Sequence, residues 1–306
     1  MEIIGLDNQQ KERTVVVLGA FDGIHKGHIS LIDAGRMLAK AKDAKLAIMT
    51  FLEHPDTVLK NNRLKMLTTQ EEKLKVLQDL GVEIVYLPTF VDIAGLSATR
   101  FFNEILIEKF GAVGLVAGPN FHFGKKARGN SSYLKFLGAK NNIPVFIGEA
   151  IRYRDRIISS TMIRRLIKKG QIELVNSLLG RRFTLTGEVI KGEGRGRKLK
   201  MPTANINIPK EKLLPPCGVY LTEAFCENKS YFGLLSISDK PTFHEKGDIV
   251  VEVYLFNTED DLYGKSLSIE LIRLQREIFK YNSAKELMDQ VALDIKEAKH
   301  YMSYYL

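Results

Sequence analysis

Two histidines lie three residues apart in the segment GAFDGIHKGH, which spans residues 19–28. His25 and His28 flank Gly27, and the segment joins the apolar run TVVVL to the helix-like run ISLIDAGRMLAKAKD. Two imidazoles at this spacing lie on one face of the first turn of a helix, where backbone N–H groups favour anions. We interpret them as hydrogen-bond donors to a triphosphate whose charge grows during reaction. On spacing alone, two surface histidines beside a turn remain the alternative.

A second polar segment, ISSTMIRR at 158–165, also contains residue types that bind phosphate. Hydroxyl groups ahead of a helix act as N-caps, and an arginine one turn later provides a cation that reaches a phosphate. This segment favours the phosphate-binding interpretation of the histidines. Its candidate residues are Ser159, Ser160, Thr161 and Arg164.

Five apolar runs in the first half, separated by longer segments with helical spacing, predict the elements that position these groups. Continuous apolar runs of this kind are typical of parallel strands covered on both faces. Ligands bind at the carboxyl ends of such strands, and Gly19, Gly23 and Gly27 permit close backbone approach to a phosphate there. The runs are TVVVLG (14–19), KLAIMTF (45–51), EIVYL (83–87), VGLVAG (113–118) and PVFIG (144–148).

The pattern changes after about residue 182, where strand-like segments follow one another with turn signals between them. This predicts an antiparallel sheet or barrel. The closing segment SAKELMDQVALDIKEAKHYM predicts a helix on that barrel, with Ser283 as its N-cap. We therefore predict an α/β domain over 1–181 and a barrel domain over 182–306. The predicted strands are FTLTGEVI, GVYLTEAF, YFGLLSI, IVVEVYLF and SLSIELI.

Composition limits the class of protein. The 306 residues suffice for two hydrophobic cores, and a net charge of +9, from 45 Lys+Arg against 36 Asp+Glu, suits nucleotides and nucleic acid alike. The two cysteines, Cys217 and Cys226, argue against a disulfide framework or structural zinc. We see neither a signal peptide nor a run long enough to span a membrane, and so expect a soluble cytoplasmic protein.

The motifs together resemble a known family. GAFDGIHKGH and ISSTMIRR are similar to the HxGH and serine-rich arginine motifs of the nucleotidylyltransferase superfamily. The segments TFLEHP and AGPNFHFGKKARGN narrow the resemblance to the bacterial bifunctional riboflavin kinase/FAD synthetase family. Four segments of the second half resemble the riboflavin kinase barrel of that family: GEGRGRKLKMPTANI, PPCGVYL, KPTFHEKGDIVVEVYLF and DDLYG. The likeness spans almost the whole chain in the family's order. It implies a Rossmann-like nucleotidylyltransferase domain followed by a riboflavin-kinase-like β-barrel with a terminal helix.

The resemblance implies attack by the FMN phosphate on the α-phosphorus of ATP, with pyrophosphate leaving and Mg2+ assisting. The implied catalytic residues are His25, His28, Asn120 and Arg164, with Asn120 orienting a phosphate or the metal. The implied ATP-binding residues are Gly19, Phe21, Gly27, Ser159, Ser160 and Thr161.

The same resemblance assigns FMN binding to Phe51, His54, Phe121 and Phe123, although the three phenylalanines could equally be core aromatics. Glu53 departs from the family, which has proline in TFxPHP. We expect this carboxylate to point into solvent, because it would otherwise repel an anionic substrate. The cations Lys125, Lys126 and Arg128 belong to the family-like segment AGPNFHFGKKARGN, and a solvated charge run is the alternative interpretation.

In the second half, the resemblance implies that Thr203 and Asn205 hold Mg2+ and phosphates and that Glu252 is the general base for the ribityl hydroxyl. A carboxylate alternating with valines either faces solvent or is functional, and both interpretations of Glu252 stay open. Several residues depart from the kinase pattern, and from them we expect the kinase activity to be weak or absent. They are Lys200, Ser238, Lys240, Ile278 and Tyr281.

Three functions remain open on the sequence. The first is an FMN adenylyltransferase whose kinase has decayed, and the second is a fully bifunctional enzyme. The third is a flavin-binding regulator that contacts RNA through its basic surface, although we see no RNA-binding signature. We expect small-molecule substrates (ATP, FMN and riboflavin) and no nucleic-acid or membrane partner, and the sequence does not indicate an oligomeric state.

Overall fold

The computed structural model describes residues 1–6, 12–53, 55–59, 64–191, 202–239, 249–258 and 260–305. The chain divides into two compact units, Met1–Ser160 and Thr161–Leu306. The predicted boundary near residue 181 stays a prediction. His54, Lys200 and Lys240 lie outside the described residues.

The first unit contains a six-stranded parallel sheet with the order β1-β4-β3-β2-β5-β8. The five strands predicted from the apolar runs are confirmed. The strand β1 was not predicted, because three residues that are mostly exposed give no apolar run. In chain order the strands are β1 (Glu2–Ile4), β2 (Thr14–Leu18), β3 (Lys45–Met49), β4 (Ile84–Tyr86), β5 (Ala112–Ala117), β6 (His122–Phe123), β7 (Gly129–Asn130), β8 (Val145–Ile147), β9 (Arg152–Tyr153) and β10 (Arg156–Ile157).

Helices connect these strands, and β6 with β7 and β9 with β10 form two small antiparallel pairs. The helices are α1 (Lys26–Lys42), α2 (Pro55–Leu59), α3 (Gln70–Asp79), α4 (Phe90–Ala94), α5 (Ala98–Arg100), a π-helix (Phe101–Lys109), a 3-10 turn (Lys125–Ala127) and α6 (Ser131–Lys140).

Both faces of the parallel sheet are covered, as the continuous apolar runs predict. All five residues of β2 are buried. Val15 and Val17 belong to the apolar cluster that includes residues of α1, whereas Val16 and Leu18 belong to the cluster that includes the π-helix. Because successive side chains of a strand point to opposite faces, β2 lies at the centre of a three-layer structure.

The second unit is a closed antiparallel barrel with the order β11-β12-β15-β14-β13-β16. The five predicted strands are confirmed, and β12, which begins with Ala204 and Asn205 of the PTAN segment, is an additional one. The elements are α7 (Ser160–Ile167), which begins at the division between the units, α8 (Ile172–Leu179), β11 (Phe183–Ile190), β12 (Ala204–Asn207), β13 (Gly218–Cys226), β14 (Lys229–Asp239), β15 (Ile249–Leu255), β16 (Ser266–Arg276) and α9 (Ala284–Tyr305).

The terminal helix α9 is also confirmed, together with its cap. The Ser283 hydroxyl accepts a hydrogen bond from Glu286 N at 3.2 Å, and the Glu286 carboxylate accepts one from Asn282 N at 3.0 Å. Ala298 of this helix is 1% exposed in a cluster with barrel residues such as Val219 and Leu221. The helix therefore packs its apolar side against the barrel.

Candidate functional site

The turn after β2 is a buried, strained connection between strand and helix. Phe21, Asp22 and Ile24 are all buried, and Phe21 (φ 51°) and Ile24 (φ 38°) adopt left-handed backbone conformations. A β-branched residue in this region is uncommon, and such strain clusters at functional sites. Gly23 has φ 84°, and a Cβ there would lie 2.7 Å from Leu67, so glycine is required.

The two histidines lie at the N-terminus of α1. His25 is the N-cap residue and its carbonyl accepts hydrogen bonds from His28 N and Ile29 N. The two imidazole rings stack at 3.8 Å between centroids with an interplanar angle of 14°. His25 is 6% exposed and His28 is half-buried, with the Phe21 ring 5.1 Å from it. The first turn of α1 contains no acidic residue, so the positive end of its dipole is available to an anion.

Gly27 lies between the histidines because a side chain would disturb them. A Cβ at this position would lie 3.2 Å from two atoms of the His25 ring. Glycine therefore permits the stacked arrangement of the rings as well as close approach of a ligand to the backbone. This agrees with the expectation that Gly27 permits close backbone approach, while its role in ATP binding stays a prediction.

Asp22 connects the turn to the segment before α3. Its carboxylate Oδ1 accepts hydrogen bonds from Leu67 N at 3.0 Å and Thr68 N at 3.2 Å, and Gly23 N donates to the Thr68 hydroxyl. The backbone carbonyl of Asp22 accepts a hydrogen bond from the Ser160 hydroxyl at 2.9 Å. This aspartate was not predicted as a site residue, because its partners are distant along the chain.

The strand order reverses at β2, which pairs with β3 on one side and β5 on the other. Ligands of open α/β sheets bind in the crevice at such a switch point, outside the carboxyl ends of the strands. The histidine turn follows β2, and Asn120 follows β5, so both lie at this edge. Asn120 is exposed, and its carbonyl oxygen is 2.9 Å from His122 Nδ1.

The candidate flavin residues differ in burial. Phe123 is 6% exposed and belongs to the core, and its ring centroid lies 5.7 Å from that of Phe101. Phe121 is half-buried, and its ring stacks on that of Phe123 at 5.6 Å between centroids. Phe51 is half-buried at the end of β3, with an edge contact to Phe90. Phe123 therefore acts as a core aromatic, and Phe51 and Phe121 have surface left for a ligand.

The charged residues near these aromatics are exposed. Glu53 is exposed, which confirms that it points into solvent. Lys125, Lys126 and Arg128 are exposed as well, as a solvated charge run would be.

The serine-rich segment lies where α7 begins. Ser159 and Ser160 are half-buried, Thr161 is exposed, and Arg164 is half-buried on α7. Ser160 contacts the histidine turn through Asp22, whereas Arg164 belongs to the second unit. The assignment of Arg164 to the ATP phosphates stays a prediction.

The barrel brings two of the three kinase candidates together. Asn205 of β12 is the register partner of Glu252 of β15, so their half-buried side chains lie on the same face of the sheet. These two residues are far apart in sequence, and only strand pairing makes them neighbours. Glu252 is half-buried, whereas the interpretation in which this carboxylate only faces solvent requires an exposed side chain.

Thr203 lines a cavity of about 780 Å³ beside this pair. This volume lies within the range of about 300–1,000 Å³ that is usual for small-ligand sites. Its floor and walls come from β11, β12, β15 and the segment after β15. The lining includes Val189, Pro202, Thr203, Ala204, Val253, Tyr254, Leu255, Asn257, Thr258, Asp260, Asp261, Leu262 and Tyr263.

The residues predicted to hold Mg2+, Asn120 in the first unit and Thr203 with Asn205 in the barrel, offer oxygen donors. This ion prefers oxygen ligands and is usually held by one or two protein groups together with substrate phosphates. Within the described ranges no group of three or more His, Cys, Asp or Glu residues forms a metal cluster. The oxygen donors of Thr203 and Asn205 suit an ion that arrives with its nucleotide.

Among the kinase departures in the described residues, Ser238 shows no backbone strain. Ser238 lies inside β14, opposite Val250, and its backbone has no left-handed conformation that glycine would be needed for. Ile278 is exposed, and the Tyr281 ring lies 5.9 Å from the Arg276 guanidinium. A serine in a regular strand removes one of the physical reasons for expecting a weak kinase.

Family models match both halves of the chain. One described as FAD synthetase matches residues 7–162, and one described as riboflavin kinase matches residues 179–302. The bifunctional riboflavin kinase/FMN adenylyltransferase of Bacillus subtilis (strain 168) is 34% identical over 304 residues, covering 97% of this chain and 95% of that protein. The protein of the same name from Buchnera aphidicola subsp. Schizaphis graminum is 35% identical, with 98% of each covered. These names give no support to the expectation of a weak or absent kinase.

Among solved structures, that of a protein named macrolide-efflux protein from Streptococcus pneumoniae is similar over 98% of this chain and 99% of that one. The TM-score is 0.89 and the sequence identity is 30%. In the described parts of the chain, no helix has the length and apolar character needed to cross a membrane. The two family matches correspond to the two units.

Proposed function

The chain belongs to the family of bacterial bifunctional riboflavin kinase/FMN adenylyltransferases, and we propose that it catalyses both steps from riboflavin to FAD. The first unit transfers AMP from ATP to FMN, and the barrel transfers the γ-phosphoryl group of ATP to riboflavin. The observation that carries the first activity is the stacked pair His25 and His28 at the N-terminus of α1.

In the adenylyl transfer, a phosphate oxygen of FMN attacks the α-phosphorus of ATP, and the bond from that phosphorus to the bridging oxygen breaks. Pyrophosphate leaves with the bond's electron pair. The imidazoles of His25 and His28 and the N–H groups of α1 donate hydrogen bonds to the phosphate oxygens on which charge develops. Mg2+ would be held by the substrate phosphates together with an oxygen donor such as that of Asn120, and would supply positive charge that offsets part of theirs. Asn120 would orient the triphosphate from the segment after β5.

In the kinase step, Glu252 accepts the proton of the terminal ribityl hydroxyl while that oxygen attacks the γ-phosphorus of ATP, and ADP leaves. A general base must lie within hydrogen-bond reach of the hydroxyl, and the half-buried Glu252 beside Asn205 suits this role. Thr203 would bind the phosphates from the adjoining cavity. The register pairing of Asn205 with Glu252 carries this second activity.

Separate incubations test the two activities. The protein is mixed with FMN, ATP and Mg2+ in one reaction and with riboflavin, ATP and Mg2+ in another, and the flavins are separated by chromatography. We expect FAD in the first reaction, and FMN followed by FAD in the second. Absence of FAD from the first reaction contradicts the adenylyltransferase, and absence of FMN and FAD from the second contradicts the kinase alone.

A further inference from the structure

Lys73 of α3 is a buried cation that the reaction as described does not use. Its side chain is 4% exposed, and its ammonium Nζ lies 3.4 Å from the Thr50 hydroxyl oxygen and 3.4 Å from the Phe51 carbonyl oxygen. Lysine is almost never buried without a specific partner. The position therefore calls for a reason other than packing.

The ammonium lies where two central strands end. Thr50 and Phe51 directly follow β3, and the Thr50 hydroxyl donates a hydrogen bond to Ala20 O at 2.8 Å, in the turn after β2. The same turn continues through Asp22 to His25 and His28. Lys73 is thus connected through Thr50 to the backbone that carries the two histidines.

The start of α3 fixes Lys73 in this place. A capping box joins Thr69 and Glu72, since each side chain accepts a hydrogen bond from the other residue's backbone N–H. The two residues before Thr69 donate backbone hydrogen bonds to the Asp22 carboxylate. Lys73 therefore follows a helix terminus that is docked on the histidine turn.

A charge in this position destabilises the folded chain. Burial lowers the pKa of Lys73 to about 8, and the negative charge of Asp22 opposes that shift only in part. Of the neighbouring segments, the turn after β2 contributes Asp22, α3 itself contributes the capping carboxylate of Glu72, and Thr50 and Phe51 contribute uncharged groups. An apolar side chain of similar length would avoid the desolvation cost of the ammonium.

A second buried lysine in the described residues has a different kind of partner. Lys212 is 2% exposed, and its ammonium lies 4.6 Å from the centroid of the Phe183 ring, a cation–π contact within the barrel. Lys73 instead contacts oxygen atoms at the carboxyl edge of the parallel sheet, where the phosphates of the proposed substrates bind.

We propose that Lys73 is a positioning residue for adenylyl transfer, whose ammonium holds Thr50 and the end of β3 against the turn that carries His25 and His28. This role rests on the proposed function of the first unit. The positive charge is retained at a cost in stability because it fixes the turn in the geometry that the transition state needs. A misplacement of catalytic groups by about 1 Å costs on the order of 100-fold in rate.

The substitution Lys73→Met, which keeps the length of the side chain and removes the charge, tests this role. We expect kcat for FAD formation from FMN to fall about 10–100-fold, while KM for ATP and FMN changes little. The Tm of the variant at pH 7 should be at least as high as that of the wild type. The matched control is Lys75→Met on the same helix, because Lys75 is 75% exposed and pairs only with Asp79 at 3.5 Å among the contacts described.

Lys73→Arg separates charge from shape, since arginine stays charged above pH 8. We expect the wild-type rate to fall as the pH rises through about 8, and the Arg variant to keep a larger share of its pH 7 rate at pH 9. If the Arg variant does not fold, the wild-type profile compared with that of Lys73→Met gives the same information, because the Met variant has no group to lose its proton there.

The outcomes are distinct. An unchanged kcat in Lys73→Met overturns the proposal, and so does a variant whose loss of activity is matched by a lower Tm, because that marks a merely structural lysine. A wild-type protein that makes no FAD contradicts the proposed function itself. A wild-type protein that makes FAD while the Met variant does so equally well contradicts only the role of Lys73.

Discussion

At the scale of single residues, His28 has the geometry of a donor that acts on developing charge. It is half-buried, stacked on His25 and close to the Phe21 ring, so its imidazole is held in one orientation. We predict that His28→Ala lowers kcat/KM for FAD formation by about 10–1000-fold, because one preorganised hydrogen bond to the transition state is lost.

The control for this prediction is His300→Ala, which removes an exposed histidine of α9. Steady-state kinetics with FMN and ATP should show wild-type rates for that variant. A His28→Ala enzyme as fast as the wild type would mean that the ring does not contact the phosphates.

Glu252 allows the kinase to be tested inside the same molecule. The substitution Glu252→Gln keeps the size of the side chain and removes the proton acceptor, so we predict that FMN formation from riboflavin falls about 100–10,000-fold. FAD formation from supplied FMN should keep its wild-type rate. Glu188→Gln, at an exposed position of β11, is the matched control. Undiminished FMN formation in Glu252→Gln would exclude this residue as the base.

At the scale of elements, one buried ion pair holds the end of β16 to α9. Asp294 is 2% exposed and accepts hydrogen bonds from Arg276 Nε at 2.9 Å and Arg276 Nη2 at 2.8 Å, while Gln275 donates to its backbone carbonyl at 2.7 Å. Removing one partner of such a pair leaves a charge desolvated. We predict that Asp294→Ala lowers the free energy of unfolding by about 3–5 kcal/mol.

Urea unfolding followed by circular dichroism measures this change. Asp289→Ala alters an exposed carboxylate of the same helix and should stay within about 0.5 kcal/mol of the wild type. Equal stabilities for the two variants would show that α9 is held by its apolar contacts alone.

The contacts of helix α8 determine the effect of ending the first domain at residue 181. The Asn176 amide donates hydrogen bonds to Leu271 O and Ile272 O of β16, and its carbonyl oxygen accepts one from Phe183 N. We predict that a fragment of residues 1–181 folds and forms FAD, since the segment ISSTMIRR is retained. In this fragment α8 should exchange its amide hydrogens faster than in the full chain.

Activity and hydrogen exchange of the fragment are measured side by side with the full-length protein. A soluble 1–181 fragment without FAD formation would show that the barrel contributes to the adenylyl-transfer site.

At the scale of the whole molecule, much of the architecture could be predicted because apolar periodicity follows burial. The strands of the parallel sheet are buried on both faces, and those of the barrel on one, so each leaves a distinct pattern. The strand β1 has no such pattern because it is short and exposed. The π-helix could not be predicted either, since its residues have the composition of an ordinary α-helix.

The candidate sites were predictable only where their residues are close in sequence. The pair His25 and His28 could be read from its spacing, whereas the pairing of Asn205 with Glu252 depends on strand register. Lys73 and Lys75 are indistinguishable in the run QEEKLKVLQD, and only the fold buries one and exposes the other. Long-range contacts of this kind leave no local signal.

We propose that one chain carries out two successive reactions in separate units. The most direct measurement is a time course of flavin products from riboflavin, ATP and Mg2+, separated by chromatography, for the wild type, His28→Ala and Glu252→Gln. We predict that the wild type forms FAD, that His28→Ala accumulates FMN, and that Glu252→Gln leaves riboflavin unchanged yet converts added FMN to FAD. Loss of both reactions in either single variant, or accumulation of FMN in Glu252→Gln, would contradict the division of labour.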